Sequence, residues 1–542
     1  MDALTDGSET GCVVLADYCL ATTRVHTDAR TLPDGTVLEG DICIVGAGAS
    51  GITIAREFNN SPVKVLLLEG GGFEFDPRMQ DLYRGEIVGL PYFPLQAAAM
   101  HYFGGTTNHW AGWCSPYEAI DFEKRDWVPH SGWPIKRADL DPYYRVARTI
   151  LDLPFDKWDA ADYENGDAMR APLLGDSKLM WTKMWQFSPP TRMGVKYRDE
   201  IVKSPNIHLY TNANVVEVEA NEGVKSIQLV HIRTFEGKEY RARAKRFVLA
   251  CHTIQNARLL LASNRQAKAG LGNDNDLVGR YFMEHFEMPC GELALANPTS
   301  TGTRLYEFVE LGGPPRGEIA VTPKAQRENR ILHGTASVEA GNYGDVVPST
   351  FQLMDTATMN AQRAWEKAGR KGDPPIARKS AETAPRTQGP QRFYHLTTRQ
   401  EQAPNPDSRV TLSNEKDALG VPRAKLDWRV TDLDKHSMRT FYHILGREMG
   451  RTNTGRVQIK EWLLGDDKTW PSFISGGWHH MGTLRMSTDP KQGVTDANCR
   501  VHGIANLYIG GAAVYPTAGA VNPTLTLVAL SLRLADYLKT QA

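Results

Sequence analysis

The stretch that decides the fold runs from Asp41 to Gly72 and reads DICIVGAGASGITIAREFNNSPVKVLLLEGGG. Its apolar segment Ile42–Val45 predicts a buried parallel strand, and a glycine-rich turn and the helix-forming segment ITIAREF follow. Three glycines of the turn have the GxGxxG spacing: Gly46, Gly48 and Gly51. They permit, in that order, a tight turn, close approach of a pyrophosphate, and packing of the helix on the strand. The pattern predicts dinucleotide phosphates at the positive end of the helix.

A second apolar strand, Val63–Leu68, ends at Glu69. A carboxylate at this point is placed to accept hydrogen bonds from the ribose hydroxyls of an adenine dinucleotide, and it argues against a 2′-phosphate. The following Gly70 leaves no bulky side chain beside the ribose, which favours a flavin. These residues alone leave both NAD and FAD open.

The length and composition of the chain limit the classes of function that it can have. The chain has 542 residues, more than one core usually supports, so two domains with a ligand cleft between them are expected. Lys plus Arg number 62 and Asp plus Glu 63, which makes nucleic-acid binding improbable. No run of about eighteen apolar residues exists, so we expect no integral membrane segment.

The seven cysteines are scattered and contain no CxxC pair, which is typical of reduced residues in an intracellular protein. The same scatter speaks against zinc or an iron–sulfur cluster. We therefore expect a cytoplasmic protein without a metal site.

The segment His101–Pro116, HYFGGTTNHWAGWCSP, has neither helical nor strand periodicity. GGTTNHW resembles the flavin-contacting loop of the glucose–methanol–choline (GMC) oxidoreductase family, in particular its pyranose-oxidase branch. The resemblance implies that His109, four residues after Gly105, contacts the flavin. Both a covalent and a noncovalent contact occur in that family.

The final segment resembles the same family most closely. It contains HxxGTxRM from His479, the strand-like NLYIGG, and NPTLT from Asn522, in the family's order. Ser487 stands where the family has glycine after RM. In the turn VLACHTIQ, alanine and glycines are usual at the positions of Cys251, His252 and Thr253. The resemblance implies FAD as the cofactor and oxidation of an alcohol as the reaction.

Alcohol oxidation needs a base near neutral pKa beside the flavin, and histidine supplies one. His479 is the candidate base, and His480 either orients the loop or fills the core. Asn522 precedes Pro523, which suits a helix N-cap, but its amide can instead bind the substrate oxygen, as the resemblance implies; we favour the substrate role.

The predicted fold class is α/β, with a discontinuous Rossmann-like FAD-binding domain (36–130, 200–295 and 470–542). An α+β substrate domain with an antiparallel sheet takes up 131–199 and 296–469, where TRLYEFVEL, ILHGTASVEA and SRVTLS predict strands. The basic segment Ala364–Pro390 predicts an exposed loop or lid, with docking of an electron acceptor as the alternative.

The sequence thus predicts FAD-dependent oxidation of a secondary ring hydroxyl of a pyranose or glycoside, with dioxygen or a quinone-type acceptor. A sugar or alcohol dehydrogenase using a quinone or cytochrome, and a nonredox FAD lyase, stay open, as does assembly into a homo-oligomer. The candidate catalytic residues are His479, Asn522 and His480. The candidate cofactor-binding residues are Gly46, Gly48, Ala49, Ser50, Gly51, Glu69, Gly70, Gly105, Thr106, Asn108, His109, Trp110, Val216, Gly511, Ala512 and Thr524.

Overall fold

The computed structural model describes residues 26–167, 170–299, 301–307, 313–342, 391–465 and 468–541. The predicted loop Ala364–Pro390 lies outside the described residues. The strands are β1 His26–Asp28, β2 Val37–Val45, β3 Val65–Leu68, β4 Glu86–Ile87, β5 Trp113–Cys114, β6 Met180–Phe187, β7 Ile207–Thr211, β8 Asn214–Ala220, β9 Ile227–Arg233, β10 Glu239–Leu249, β11 His285–Leu295, β12 Arg316–Val321, β13 Gly334–Ala340, β14 Phe393–Glu401, β15 Arg409–Lys416, β16 Pro422–Asp427, β17 Gly455–Ile459 and β18 Leu507–Ile509.

The α-helices are α1 Ala49–Arg56, α2 Pro77–Asp81, α3 Ala119–Phe122, α4 Asp141–Ile150, α5 Met193–Lys196, α6 Arg198–Val202, α7 Thr253–Ala262, α8 Pro323–Asn329, α9 Asp432–Arg451, α10 Glu461–Leu464 and α11 Thr524–Thr540. Short 3₁₀ turns supplement them, among them Gly105–Asn108 and Ala512–Val514.

The first sheet has the order β1-β7-β3-β2-β10-β9-β8, with β18 beside β10. Strands β2, β3, β7, β10 and β18 pair in parallel, and all four residues of β3 are buried. Burial on both faces explains the unbroken apolar run VLLL, because helices cover both faces of such a sheet. The predicted parallel, Rossmann-like sheet built from distant parts of the chain is confirmed.

The second sheet is antiparallel, with the order β17-β11-β14-β13-β12-β6-β5, and β15-β16-β4 form a small third sheet. The predicted antiparallel sheet is therefore confirmed. The strand predicted for TRLYEFVEL is wrong in its described part, since residues 303–307 form no strand.

The predicted boundary between the two domains, at residue 295, places β11 in the FAD-binding domain, although β11 pairs with β14 and β17 of the second sheet. We therefore propose the domain boundary before His285.

Strand β6, MWTKMWQF, was not predicted. Seven of its eight residues are buried, so it lacks the polar–apolar alternation that marks a half-exposed strand. It is central to the site because it carries Trp185. Within the described ranges, no helix combines the length and apolar character needed to cross a membrane.

Candidate functional site

The glycine turn after β2 has the geometry predicted for it. Gly46 has φ +99°, and a Cβ there would lie 2.6 Å from the carbonyl oxygen of Ala250. A Cβ on Gly51 would overlap the carbonyl oxygen of Gly46, so α1 approaches the turn as only glycine allows. Around Gly48, by contrast, no atom lies within 4 Å of a built Cβ. Open space therefore adjoins the N-terminus of α1, where Gly48 supplies no side-chain cap and the backbone amides suit a phosphate.

A cavity lies at the carboxyl end of β2 and β3, and its lining includes Gly46, Glu69, Gly70 and Val216. The buried carboxylate of Glu69 accepts hydrogen bonds from the backbone N–H of Ala47 (2.8 Å) and of Gly71 (2.9 Å). Each carboxylate oxygen keeps a second lone pair for a donor such as a ribose hydroxyl. Burial raises the pKa of Glu69, while these backbone donors oppose that rise.

Two aromatic rings and an ion pair complete this cavity. His101 stacks on Tyr83 with ring centroids 4.3 Å apart, and the buried Arg258 pairs with Asp417. None of these four residues was among the predicted contacts. Cys251, which departs from the family pattern, also lines the cavity. The acceptors of Glu69 and the stacked rings are groups that can contact a ribose and an adenine ring.

The GGTTNHW loop packs against the glycine turn. Gly104 donates its N–H to the carbonyl oxygen of Ala47 (2.8 Å), and a Cβ on Gly105 would lie 3.1 Å from Gly48 Cα. The hydroxyl of Tyr102 lies 2.6 Å from His109 Nε2. The indole of Trp110 donates to the carbonyl oxygen of Thr191 (2.8 Å), and Thr106 Oγ1 accepts from the N–H of Met100 (3.2 Å).

Asn108 in this loop donates from Nδ2 to the carbonyl oxygen of Phe103 (2.8 Å). Its Oδ1 is buried and has no hydrogen-bond partner within the described residues. A buried acceptor without a donor fits a site completed by a hydrogen-bonding ligand.

The C-terminal segment docks on the same turn. Ser50 Oγ is 2.8 Å from Ser531 Oγ in α11, and a Cβ on Gly510 would lie 2.5 Å from Ser50 Oγ. Gly511 has φ +99° and leads into Ala512, whose carbonyl oxygen accepts from the N–H of Gly482 (3.1 Å). The structure thus brings the predicted cofactor segments together around one turn. The open space at Gly48 and the acceptors of Glu69 and Asn108 fit a dinucleotide.

His479 and Asn522 meet beside this region. Asn522 Nδ2 is 2.9 Å from His479 Nε2, and Asn522 Oδ1 accepts from the indole N–H of Trp185 (3.0 Å). The side chain of Asn522 therefore does not cap α11, which begins at Thr524 with Pro523 before it. The N-cap interpretation is therefore wrong, because the amide of Asn522 bonds to His479 and Trp185 instead.

His285 stands behind His479. The two Nδ1 atoms are 3.0 Å apart, and His285 Nε2 lies 3.0 Å from the carbonyl oxygen of Ala518 and 2.8 Å from that of Gly519. His285 is fully buried at the start of β11. Nothing in the segment HFEMPC indicates that His285 reaches the ring of His479.

His480 faces a different set of residues. Its Nε2 lies 2.5 Å from the hydroxyl of Tyr92, its Nδ1 lies 2.7 Å from His252 Nε2, and Tyr92 donates to Glu284. His480 is thus turned away from Asn522, and we assign it no role in proton transfer. The two roles expected for His480, orienting the loop and filling the core, stay predictions.

Burial controls the charge of the cluster. The pKa of His479 lies well below its usual value because burial disfavours the imidazolium, and His285, Arg399 and His480 add to this effect. Burial likewise lowers the pKa of His285 to about 4. Both rings are therefore neutral at pH 7, and a neutral His479 can accept a proton.

No group of three or more His, Cys, Asp or Glu side chains within the described ranges is arranged to hold a metal ion. Of the residues that complete the site, Trp185, Glu284 and Tyr92 were missed entirely. In the sequence these three residues stand out only as parts of apolar or aromatic segments, and segments of that kind also form an ordinary hydrophobic core.

Residues 404–531 match the family model described as GMC oxidoreductase. Curated relatives align along most of the chain. The 2-methyl-1,2-propanediol dehydrogenase of Mycolicibacterium austroafricanum is 24% identical over 92% of this chain and 95% of its own. Paromamine 6′-oxidase of Streptomyces fradiae is 24% identical over 91% and 90% of the two chains. C-glycoside 3-oxidase of Microbacterium trichothecenolyticum is 24% identical over 83% and 76%.

Solved structures show the same fold. Pyridoxine 4-oxidase from Mesorbium loti superposes with a TM-score of 0.57 at 16% identity, over 92% of this chain and 99% of that one.

Proposed function

The chain belongs to the GMC oxidoreductase family, and from this premise we propose that it oxidises a secondary ring hydroxyl of a pyranose or glycoside to a ketone. It is an FAD-dependent enzyme that acts on CH–OH groups. The observation that carries the proposal is the 2.9 Å contact between His479 Nε2 and Asn522 Nδ2, beside the cofactor segments.

The residues that would hold FAD are those gathered around the glycine turn. The amides at Gly48 and the N-terminus of α1 would bind the phosphates, and Glu69 would bind the ribose. The loop Gly105–Trp110 and the segment Gly511–Ala512 would lie along the remainder. When bound, FAD accepts the hydride that leaves the hydroxyl-bearing carbon.

His479 supplies the base. Its Nε2 would take the proton of the substrate hydroxyl once the Asn522 amide that now donates to it turns to the substrate oxygen, because the ring is neutral at pH 7. Asn522 Nδ2 carries two hydrogens, of which one points at His479 Nε2 and the other can bind the substrate oxygen. The amide would hold that oxygen next to the base, and burial of the pair would keep water from competing.

The choice of a sugar as substrate is supported by the relatives. Trp185 and Arg399, which lie near Asn522, are buried, and Arg399 pairs with Glu287 (2.8 Å) and Glu318 (3.4 Å), so we count neither as a substrate contact. By its printed name, the C-glycoside 3-oxidase reported above oxidises a glycoside.

A second candidate is an alcohol dehydrogenase that passes its electrons to a quinone-type acceptor. One of the relatives reported above, a 2-methyl-1,2-propanediol dehydrogenase that aligns over 92% of this chain, favours it. A lyase that uses FAD without net redox is the third alternative.

Anaerobic mixing of the purified holoenzyme with D-glucose, a glucoside and 1,2-propanediol separates these candidates. Loss of the flavin absorption with a sugar supports the proposal, and loss only with the diol favours the second candidate. Air and a soluble quinone, added afterwards in parallel, then identify the acceptor. A flavin that every alcohol leaves oxidised would overturn the proposal and favour the lyase.

A further inference from the structure

We propose that His285 is a positioning residue that holds the ring proton of His479 on Nδ1 and so leaves Nε2 as the base. This inference rests on the function proposed above, because it explains how His479 keeps the tautomer in which Nε2 can accept the proton of the substrate hydroxyl. It goes beyond that function in naming the residue that selects the tautomer.

The first argument starts from the carbonyl groups. His285 Nε2 lies 3.0 Å from the carbonyl oxygen of Ala518 and 2.8 Å from that of Gly519. Carbonyl oxygens only accept hydrogen bonds, so Nε2 must carry hydrogen. A neutral imidazole has one N–H, so His285 Nδ1 is a lone pair. At 3.0 Å from that lone pair, His479 Nδ1 must be the donor.

The second argument starts from the opposite end. The indole N–H of Trp185 can only donate, and it lies 3.0 Å from Asn522 Oδ1. This contact fixes the orientation of the amide, so that Nδ2 faces His479 at 2.9 Å. Because Nδ2 can only donate, His479 Nε2 must accept. Two unconnected groups, an indole and a pair of carbonyls, thus require the same tautomer.

The neutral state of His285 is necessary to the argument. Burial lowers its pKa to about 4, the charge of Arg399 acts in the same direction, and that of Glu287 acts against it. The other titratable groups facing the pair are Glu284, whose carboxylate contacts both backbones, and His480. A carboxylate in the place of His285 would raise the pKa of His479, whereas the neutral ring of His285 does not.

The consequence is a row of hydrogen bonds whose N–H groups all point one way, from Trp185 through Asn522, His479 and His285 to the carbonyls. When His479 takes a proton on Nε2, its Nδ1–H still donates to His285. The row then needs no rearrangement except at Asn522, whose amide is released toward the substrate oxygen.

The test uses the full chain with FAD and two substitutions that separate the ring atoms of His285. His285→Asn places an amide oxygen near the Nδ1 position and can keep an acceptor for His479. His285→Gln places its amide near the Nε2 position, keeping a donor to the carbonyls but no acceptor. The direct readout is ¹⁵N NMR of histidine-labelled holoenzyme, with the His479 signals assigned by their loss in His479→Gln.

In the wild type we expect His479 Nδ1 to give a pyrrole-type and Nε2 a pyridine-type signal. We expect His285→Asn to keep this pattern and His285→Gln to lose it. With D-glucose, or whichever alcohol of the panel reduces the flavin, we expect His285→Gln to lower the reduction rate by about 10²-fold, mainly in kcat, and His285→Asn by less than about tenfold.

A protonated Nε2 in the wild type at pH 7.5 would overturn the inference, and so would an unchanged pattern in a folded His285→Gln. If neither variant folds, the wild-type spectrum alone still decides. The expected tautomer with no flavin reduction by any alcohol would support this inference and remove the proposed function. The opposite tautomer, with full reduction of the flavin by an alcohol, would overturn this inference and support the proposed function.

Discussion

The carboxylate of Glu284 accepts a hydrogen bond from the backbone N–H of His479 at 2.9 Å. The same oxygen, Oε2, accepts from the N–H of His285 at 3.1 Å and from that of Gly477 at 3.3 Å. One buried carboxylate therefore joins the loop that carries the candidate base to the strand that carries its partner. The other oxygen accepts from Tyr92.

Glu284→Gln should flatten the pH dependence of stability. Burial raises the pKa of Glu284 from 4.5 to about 7, so the folded chain keeps a proton that the unfolded chain loses. Stability contributed by this group is full below pH 4.5 and is lost as pH rises toward 7. Between pH 5 and 7.5, the wild type should lose about 2 kcal/mol more of its free energy of unfolding than the variant.

Unfolding at both pH values, followed by FAD fluorescence, measures this difference. Glu57→Gln, which removes a surface carboxylate paired with Lys539, is the control and should behave like the wild type. Equal pH dependence in Glu284→Gln and the wild type would contradict the prediction.

His479→Ala should leave FAD bound and slow flavin reduction by about two to four orders of magnitude, because the proton acceptor is lost. Anaerobic stopped-flow absorbance with an active alcohol measures the rate, and the flavin spectrum at rest checks the cofactor. Reduction at the wild-type rate would remove His479 from the mechanism.

Asn522→Asp should turn the base into an acid at neutral pH. The carboxylate can still accept from Trp185, but toward His479 Nε2 it can only accept, which stabilises a hydrogen there and raises the pKa of His479. We expect flavin reduction at pH 7 to fall by at least about 10²-fold and to recover partly as pH rises. A rate at pH 7 equal to that of the wild type would show that the amide does not set the protonation of the base.

Trp185→Phe should cost about tenfold in the reduction rate, because the amide of Asn522 loses the donor that fixes its orientation. Trp181→Phe is a matched control on the same strand, since the indole nitrogen of Trp181 is buried without a hydrogen-bond partner in the described part of the chain. Equal rates in the two variants would mean that the indole acts only through packing.

Gly48→Ala and Gly51→Ala should separate cofactor binding from folding. A methyl group at Gly48 enters open space at φ −84°, so the apoprotein should keep its stability while FAD binds more weakly. A methyl group at Gly51 meets the carbonyl oxygen of Gly46, so the apoprotein itself should lose about 3 kcal/mol. Thermal unfolding of both apoproteins and titration with FAD test the pair, and equal apoprotein stabilities would contradict it.

The sequence was sufficient to predict those elements whose residues are neighbours in the chain. The strand, turn, helix and acid between Ile42 and Glu69 follow local rules of periodicity and glycine conformation, and the structure shows the parallel strands and turn as predicted. The last helix, which begins at Thr524, was likewise marked by Pro523 and by helical spacing.

Contacts between distant segments were not predictable in this way. Trp185, His285, His479 and Asn522 lie on four separate segments, and only the assembled sheets bring them into one row. The role of His285 depends on two carbonyl oxygens, which no side-chain pattern can reveal. Strand β6 was not predicted because it is buried on both faces and therefore lacks the alternation of polar and apolar residues.

The contact between Ser50 and Ser531 also sets an order of events during synthesis. The helix that follows the glycine turn packs on a helix made 481 residues later. A ribosome adding 5–20 residues per second needs roughly 20 to 100 s to cover that distance. For that interval the turn lacks the helix that packs on it, so we expect native cofactor binding to follow the synthesis of α11.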